Sequence, residues 1–348
     1  MKAAVLKGIR NFDIENISYP ETGTKEILIR VKVCSICGSD LRTFNHGNDR
    51  VKFPAVIGHE MSGEIVELGK DVKNFNVGDR VCVGADIPSM EDEWSKKGMP
   101  NLSDINYAIG YQFQGGYAEY CLLNELTVKY GPFAKIPDHI SYEEASLTEP
   151  LACCINGLER IFLEPGMSVL VIGAGPIGIL LSRAAKAFGA GLVVVADSNQ
   201  GRVLGAKSLG LKSFNSKNID LQKKTNNLTK GKGFNAVITA CSVPEVQEIS
   251  INLVSKRGVI NFFGGLPVQS RGINFDSNII HYKEAYITGS HGSNPRQFNL
   301  ALQMIASGQI NVKDLISHRF DLTEIKKAFE TAEKKDGLKV SIIPNNTN

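Results

Sequence analysis

The stretch Cys34-Ser35-Ile36-Cys37-Gly38-Ser39-Asp40 sets two thiols two residues apart, and His59 and Glu60 follow 22 and 23 residues after Cys37. A lone pair of this kind serves as a redox couple, as half of a zinc module, or as a place where one sulfur does the chemistry. A further carboxylate, Glu149, stands in Thr148-Glu149-Pro150. Thiolate, imidazole and carboxylate form the ligand set of a zinc ion that keeps one position open for water or substrate, and one cysteine is enough for it.

A second constellation begins at Gly173-Ala174-Gly175-Pro176-Ile177-Gly178, a G-x-G-x-x-G match. Alone the pattern is weak. Here it follows the apolar run Ser168–Ile172 and opens a helical pattern, Ile179–Phe188, so its glycines permit the tight turn that brings a pyrophosphate to helix N–H groups. Asp197 ends the next apolar run, 19 residues past Gly178, where a carboxylate accepts from the adenosine ribose hydroxyls. That charge favours NAD over NADP, with Arg202 nearby as the one residue that argues the other way.

The elements around these residues change character along the chain. Up to about Asp138, short alternating runs such as Glu26–Val33, Gly63–Val66 and Asp79–Val83, broken by glycine-rich turns, predict a β-rich, loop-rich region. Ser141 with Glu144 forms a capping-box pattern that predicts one long helix toward Arg160. From Ser168 the pattern is strand, glycine turn, helix, strand, the βαβ unit of a parallel sheet. Later strands are expected at Ala236–Ala240, Gly258–Phe263, Tyr286–Gly289 and Lys339–Ile343, with helices at Glu245–Leu253, Pro295–Ser307 and Leu322–Lys334, and a frayed tail at Pro344–Asn348.

At 348 residues and 43% hydrophobic content the chain exceeds one ordinary core. Its 39 basic and 36 acidic residues give a net charge of +3 without a basic tract, which argues against nucleic acid and anionic membrane as partners. The longest apolar region, Val169–Ala196, is interrupted by glycines, Pro176, Arg183 and Lys186 and does not read as a membrane span. The opening residues lack a signal-peptide pattern, so a cytoplasmic protein is expected, and seven scattered cysteines fit thiols or metal ligands better than disulfides there.

Taken in order, CSICGSD, GHE at Gly58–Glu60, GDRV at Gly78–Val81, GGYAEY at Gly115–Tyr120, TEPLAC at Thr148–Cys153 and GAGPIG resemble the zinc-dependent medium-chain alcohol dehydrogenase family along essentially the whole chain. The resemblance implies an α/β chain: a GroES-like β-rich catalytic domain (1–147, rejoined by 290–348) and a Rossmann NAD-binding domain (148–289), with zinc, nicotinamide and substrate held between them. It implies Cys37, His59, Glu60 and Glu149 as the ligands of one catalytic zinc, the two carboxylates binding directly, through water or in exchange. It makes Cys34 a packed thiol, Asp40 the residue that orients His59, and Ser39 the start of the proton path. Arg42 stands where many members carry a relay histidine, and His46 matches a histidine of sorbitol dehydrogenases. Gly264 and Gly265, in Asn261–Pro267, resemble the turn that passes the nicotinamide.

Where many members hold a structural zinc on four cysteines, this chain has Ser89, Asp92, Ser95 and Ser103, poor zinc ligands. A metal-free lobe packed around Trp94, Met99 and Pro100 is expected. The implied reaction is hydride transfer from a secondary alcohol of a polyol or sugar alcohol, phosphorylated or not, to NAD, in a homotetramer or dimer. Arg296, in the polar run Ser290–Arg296, is a candidate for meeting a phosphate. The contrasting reading is a non-catalytic NAD-binding redox sensor or structural protein of the same fold.

Overall fold

The computed structural model describes residues 1–267, 270 and 272–345 and divides into two compact units, Met1–Ala152 with Gly292–Asn348, and Cys153–His291. The last three residues of the expected frayed tail lie outside the described residues.

In the first unit the strand Ile27–Ser35 is buried along almost its whole length and becomes the centre of a seven-stranded sheet. Along the sheet run Ile316–Asp321, Lys339–Ile343, Ile27–Ser35, Glu60–Leu68, Arg80–Val83 and Phe133–Lys135, while Tyr120–Leu123 pairs with another part of Ile27–Ser35. The C-terminal strand returns to this sheet through Ser341 opposite Ser35 and Ile342 opposite Cys34.

Chemistry-bearing residues gather at one end of that sheet because of register. Glu60 faces Ser35 across the antiparallel pair, so Cys37, two residues beyond one strand, meets His59, one residue before the other. The helix Gly38–His46 begins there, with Cys37 as its N-cap and Asp40 closing a capping box. Its buried Phe44 packs on Phe12 and Phe329, with ring centres 5.4 and 5.0 Å away, and Phe329 also meets Tyr117 at 5.8 Å. Each such pair adds about 0.5–1.5 kcal/mol beyond area burial. This cluster fixes the helix whose first turn carries Cys37, Ser39 and Asp40.

The predicted long helix from Ser141 is two helices, Tyr142–Ser146 and Thr148–Arg160. Pro150 is the reason. It has no N–H to donate to the Ser146 carbonyl and its ring would crowd it, so the first helix stops and the second restarts with proline in its opening turn. The Ser141–Glu144 capping box is present as read.

In the second unit six parallel strands run in the order Lys212–Asn215, Leu192–Asp197, Ser168–Ile172, Phe234–Thr239, Val254–Phe262, Tyr286–Gly289. Numbered along the chain this is 3-2-1-4-5-6, the doubly wound Rossmann order, whose switch point beside the first strand is where such sheets bind ligands. The central strands are buried on both faces and correspondingly rich in valine and isoleucine. No helix among the described residues is long and apolar enough to cross a membrane.

Candidate functional site

One ligand atom each from Cys37, His59 and Glu60 lies within 4.8 Å of the others, and His59 and Glu60 are buried. Tetrahedral zinc with ligand bonds of about 2.0–2.3 Å fits a group of that size. Glu60 Oε1 has no hydrogen-bond partner, an orphaned buried acceptor beside a thiol and an imidazole that a cation would satisfy. Glu149 is also buried, in the first turn of Thr148–Arg160, yet it stands outside this three-residue group.

The surroundings hold these side chains in place. Cys37 N–H donates to Asp40 Oδ2 at 3.0 Å, and the Tyr117 hydroxyl donates to the same oxygen at 2.8 Å. Asp40 Oδ1 lies 3.3 Å from His59 Nδ1, inside ion-pair range but off the line of a formal hydrogen bond. Burial would push His59 down, but the Asp40 charge outweighs it and holds the imidazole well above its ordinary value. Burial likewise opposes ionisation of Asp40, and His59 together with the donated hydrogen bonds keeps it below the usual carboxylate range. Ser39 Oγ sits 3.4 Å from His59 Nε2, on the side of the ring away from Asp40.

Gly58 shows how tight the frame is. At φ +98° it occupies the left-handed region, and a Cβ there would come within 2.8 Å of Cys34 Sγ and 2.9 Å of the Tyr117 ring. Cys34 is accordingly a packed thiol, fully buried, its pKa pushed well up by desolvation so that it stays protonated.

In the second unit Gly173 has φ +119°, and a side chain there would strike the Ala240 carbonyl. Gly175 caps the helix Pro176–Ala187, in which Pro176, Ile177 and Gly178 form the first turn, whose N–H groups have no intrahelical partner. Asp197 Oδ2 accepts from Ala174 N–H at 2.7 Å and Oδ1 from Asn199 N–H at 2.8 Å, so this carboxylate also shapes the turn. The Arg202 guanidinium lies 3.5 Å from where a side chain on Gly175 would begin, and its buried Nε has no partner. Gly264 passes close to the Cys241 backbone, and Gly265 faces open space. These turns all follow the carboxyl ends of parallel strands. A hollow of about 870 Å³ is lined by residues including Ser168, Leu192, Asn235 and Val254 at the opposite ends of the strands, away from the glycine turn.

Residues 23–132 match the Alcohol dehydrogenase GroES-like domain family, and residues 176–307 match the Zinc-binding dehydrogenase family. The chain is 32% identical to D-arabitol-phosphate dehydrogenase of Enterococcus avium, over 95% of its own length and 93% of that protein. It is 32% identical to sorbitol dehydrogenase of Bacillus subtilis, over 99% and 98%. The crystal structure of 2R,3R-butanediol dehydrogenase from Bacillus subtilis superposes with a TM-score of 0.90 at 29% identity, covering 99% of both chains. The chain belongs to the zinc-binding dehydrogenase family, in its polyol dehydrogenase branch.

Some residues of this dehydrogenase lie elsewhere than a linear reading suggests. His46 is exposed in the last turn of Gly38–His46, about 10 Å along the axis from Ser39 at the usual helical rise. Arg296 is exposed near the start of the helix Pro295–Ala306.

The lobe packing is corrected outright. Trp94 and Met99 are 41% and 38% exposed, so of the three expected packing residues only Pro100 is buried. The lobe is held instead by Asp92. One of its carboxylate oxygens accepts from the hydroxyls of Ser89 and Ser103 at 2.9 and 2.6 Å, and the other from Ser95 N–H at 2.9 Å. Of the four positions, the three serines therefore converge here on the carboxylate of the fourth.

Lys339 escaped the sequence reading. It is 3% exposed, makes a close ion pair with Glu60 Oε2 and donates to the Ile36 carbonyl at 3.1 Å. Burial works against its charge, but Glu60 first and then Cys37 raise its affinity for the proton. The signal was a single charge opening the otherwise uncharged strand Lys339–Ile343.

Proposed function

We propose that this chain is a zinc-dependent, NAD-linked dehydrogenase that interconverts a secondary hydroxyl of a polyol or sugar alcohol with the corresponding ketone. The observation that carries the reading is the meeting of Cys37 with the buried His59 and Glu60, with Glu60 left half unsatisfied. Those three residues would hold the ion, with Glu149 as the further acidic group of the same unit.

When bound, zinc supplies the positive charge that makes a hydroxyl more acidic, and NAD supplies the acceptor for the hydride. Ser39 Oγ, beside His59 Nε2, is placed to take the hydroxyl proton. His46, exposed in the last turn of the same helix, is the candidate for passing that proton on to solvent. Asp40 keeps His59 oriented, and Tyr117 keeps Asp40 oriented. Gly173, Gly175, Pro176, Ile177 and Gly178 would receive the pyrophosphate, and Gly264 and Gly265 the nicotinamide side of the cofactor. Asp197 would take the ribose hydroxyls, and its negative charge favours NAD, against Arg202 beside Gly175.

The partner expected besides substrate is a second copy. The strand Tyr286–Gly289 is an unpaired sheet edge flanked by exposed apolar side chains, with Tyr282 77%, Tyr286 51% and Phe275 41% exposed. A cytoplasmic setting is the one that seven scattered cysteines favour, as thiols or metal ligands.

The test is metal analysis by mass spectrometry with NADH formation on a polyol panel. About one zinc per chain with turnover is expected, both lost in Cys37→Ser and both retained in Cys34→Ser. A metal-free preparation without turnover after zinc addition would refute the reading. For assembly, Tyr286→Lys should lower the mass measured by light scattering, and an unchanged mass would clear the edge strand of that role.

A further inference from the structure

Arg50 lies in the loop between the helix Gly38–His46 and the strand Glu60–Leu68, in the same unit as Cys37 and His59. Its guanidinium carbon is 4.6 Å from the ring centre of Tyr111, and that ring is 5.6 Å from the ring centre of His59. In series these separations bring the guanidinium within about 10 Å of the imidazole. A single ring therefore joins the metal ligand and the cation.

The charge on Arg50 is not answered by the protein. Among the described residues no carboxylate lies within ion-pair distance of it. Nη2 donates to the Asn106 carbonyl, and Nε is buried without a partner. Arg50 is half-buried, and a buried N–H left without an acceptor costs free energy that an incoming anion would recover. Here the planar fork rests on an aromatic face beside the centre and retains donors for an incoming anion.

We propose that Arg50 is a specificity residue that receives a phosphate monoester at the end of the substrate remote from the oxidised carbon. This rests on the dehydrogenase reading above and narrows its substrate to a polyol phosphate. The spacing agrees. Three single bonds advance an extended chain by about 3.5 Å, so the roughly five bonds from an oxidised carbon to a terminal phosphorus cover about 6 Å. Contacts at the two ends account for the rest.

The competing role is a brace: Arg50 would tie its loop to the segment around Asn106 and have no bearing on substrate. Kinetics on paired substrates separates the two. Zinc-loaded wild type, Arg50→Met and Arg50→Lys are assayed with D-arabitol, D-sorbitol and galactitol, each alongside its terminal monophosphate. Binding of each monophosphate is followed by calorimetry.

Wild type should prefer a monophosphate. Arg50→Met should lower kcat/KM for it roughly 10- to 100-fold, the worth of a charge-assisted contact, mostly through KM. The parent polyol should change less than about 3-fold, with Arg50→Lys in between. Equal losses on both members of a pair would make Arg50 a brace and overturn the proposal, as would a wild type that does not discriminate or that prefers the parent polyols. If zinc-loaded protein turns over none of the panel, the dehydrogenase reading fails on its own, and calorimetry still decides Arg50. Monophosphate binding that is absent, or unchanged in Arg50→Met, overturns the proposal.

Discussion

Replacing Lys339 by Met leaves the Glu60 carboxylate without its cation at a site where both partners are all but inaccessible, 3% and 0% exposed. Removing one partner of a buried pair costs about 3–5 kcal/mol, because the remaining charge stays desolvated. The stem of Met fills much of the lysine volume, so little of that cost arises from a cavity. In metal-free protein, with a urea slope near 3 kcal/mol per molar, the unfolding midpoint of this unit should fall by more than about 1 M. In zinc-loaded protein the ion itself offers Glu60 a positive charge, and the loss should shrink to less than about 2 kcal/mol. Trp94, the one tryptophan of the chain, belongs to the same unit and reports its unfolding by fluorescence. The decisive comparison is the Lys339→Met shift with and without chelator. An equal shift in both would mean that lysine and metal do not share Glu60, and the account of the centre would fall.

Asp92 predicts an acid-sensitive lobe. Hydrogen bonds, from Ser103 first and then the Ser95 backbone, hold its carboxyl below the usual range. Its contribution is therefore complete above the unfolded value near 4 and fades as pH drops below it. Asp92→Asn should loosen residues 86–108 to limited proteolysis at pH 7 and flatten the acid response of Trp94 fluorescence. A variant with the wild-type acid response would refute that role. Asp197→Ala removes the brace on Ala174 together with the acceptor proposed for the ribose hydroxyls, so NAD affinity should fall roughly 10-fold or more. Asp197→Ala should also lose discrimination against NADP; unchanged cofactor affinities would show that Asp197 serves the turn alone.

Much of this was legible in one dimension because it depends on local rules. A strand, a glycine turn and a helix start are each written by near neighbours, so Ser168–Ile172 and the turn after it emerge where the pattern puts them. The ligand set could be named from residue types and family resemblance. The helix break before Pro150 is local as well: the capping box at Ser141 sets where the first helix starts, and the proline four residues past Ser146 sets where it stops.

Other facts needed the third dimension, because they join residues far apart in sequence. Nothing between Glu60 and Lys339 announces their pairing; it follows from the C-terminal strand docking beside Ile27–Ser35. The exposure of Trp94 and the convergence of three serines on Asp92 follow from the path of one loop, which hydropathy does not encode. The position of Arg50 over Tyr111 is of the same kind. Sequence by itself determined which chemistry this chain carries, since residue types and short spacings set the donors and the glycine turn. Tertiary structure alone decided which charges are balanced and which remain open to a ligand, since that depends on what packing places beside each charge.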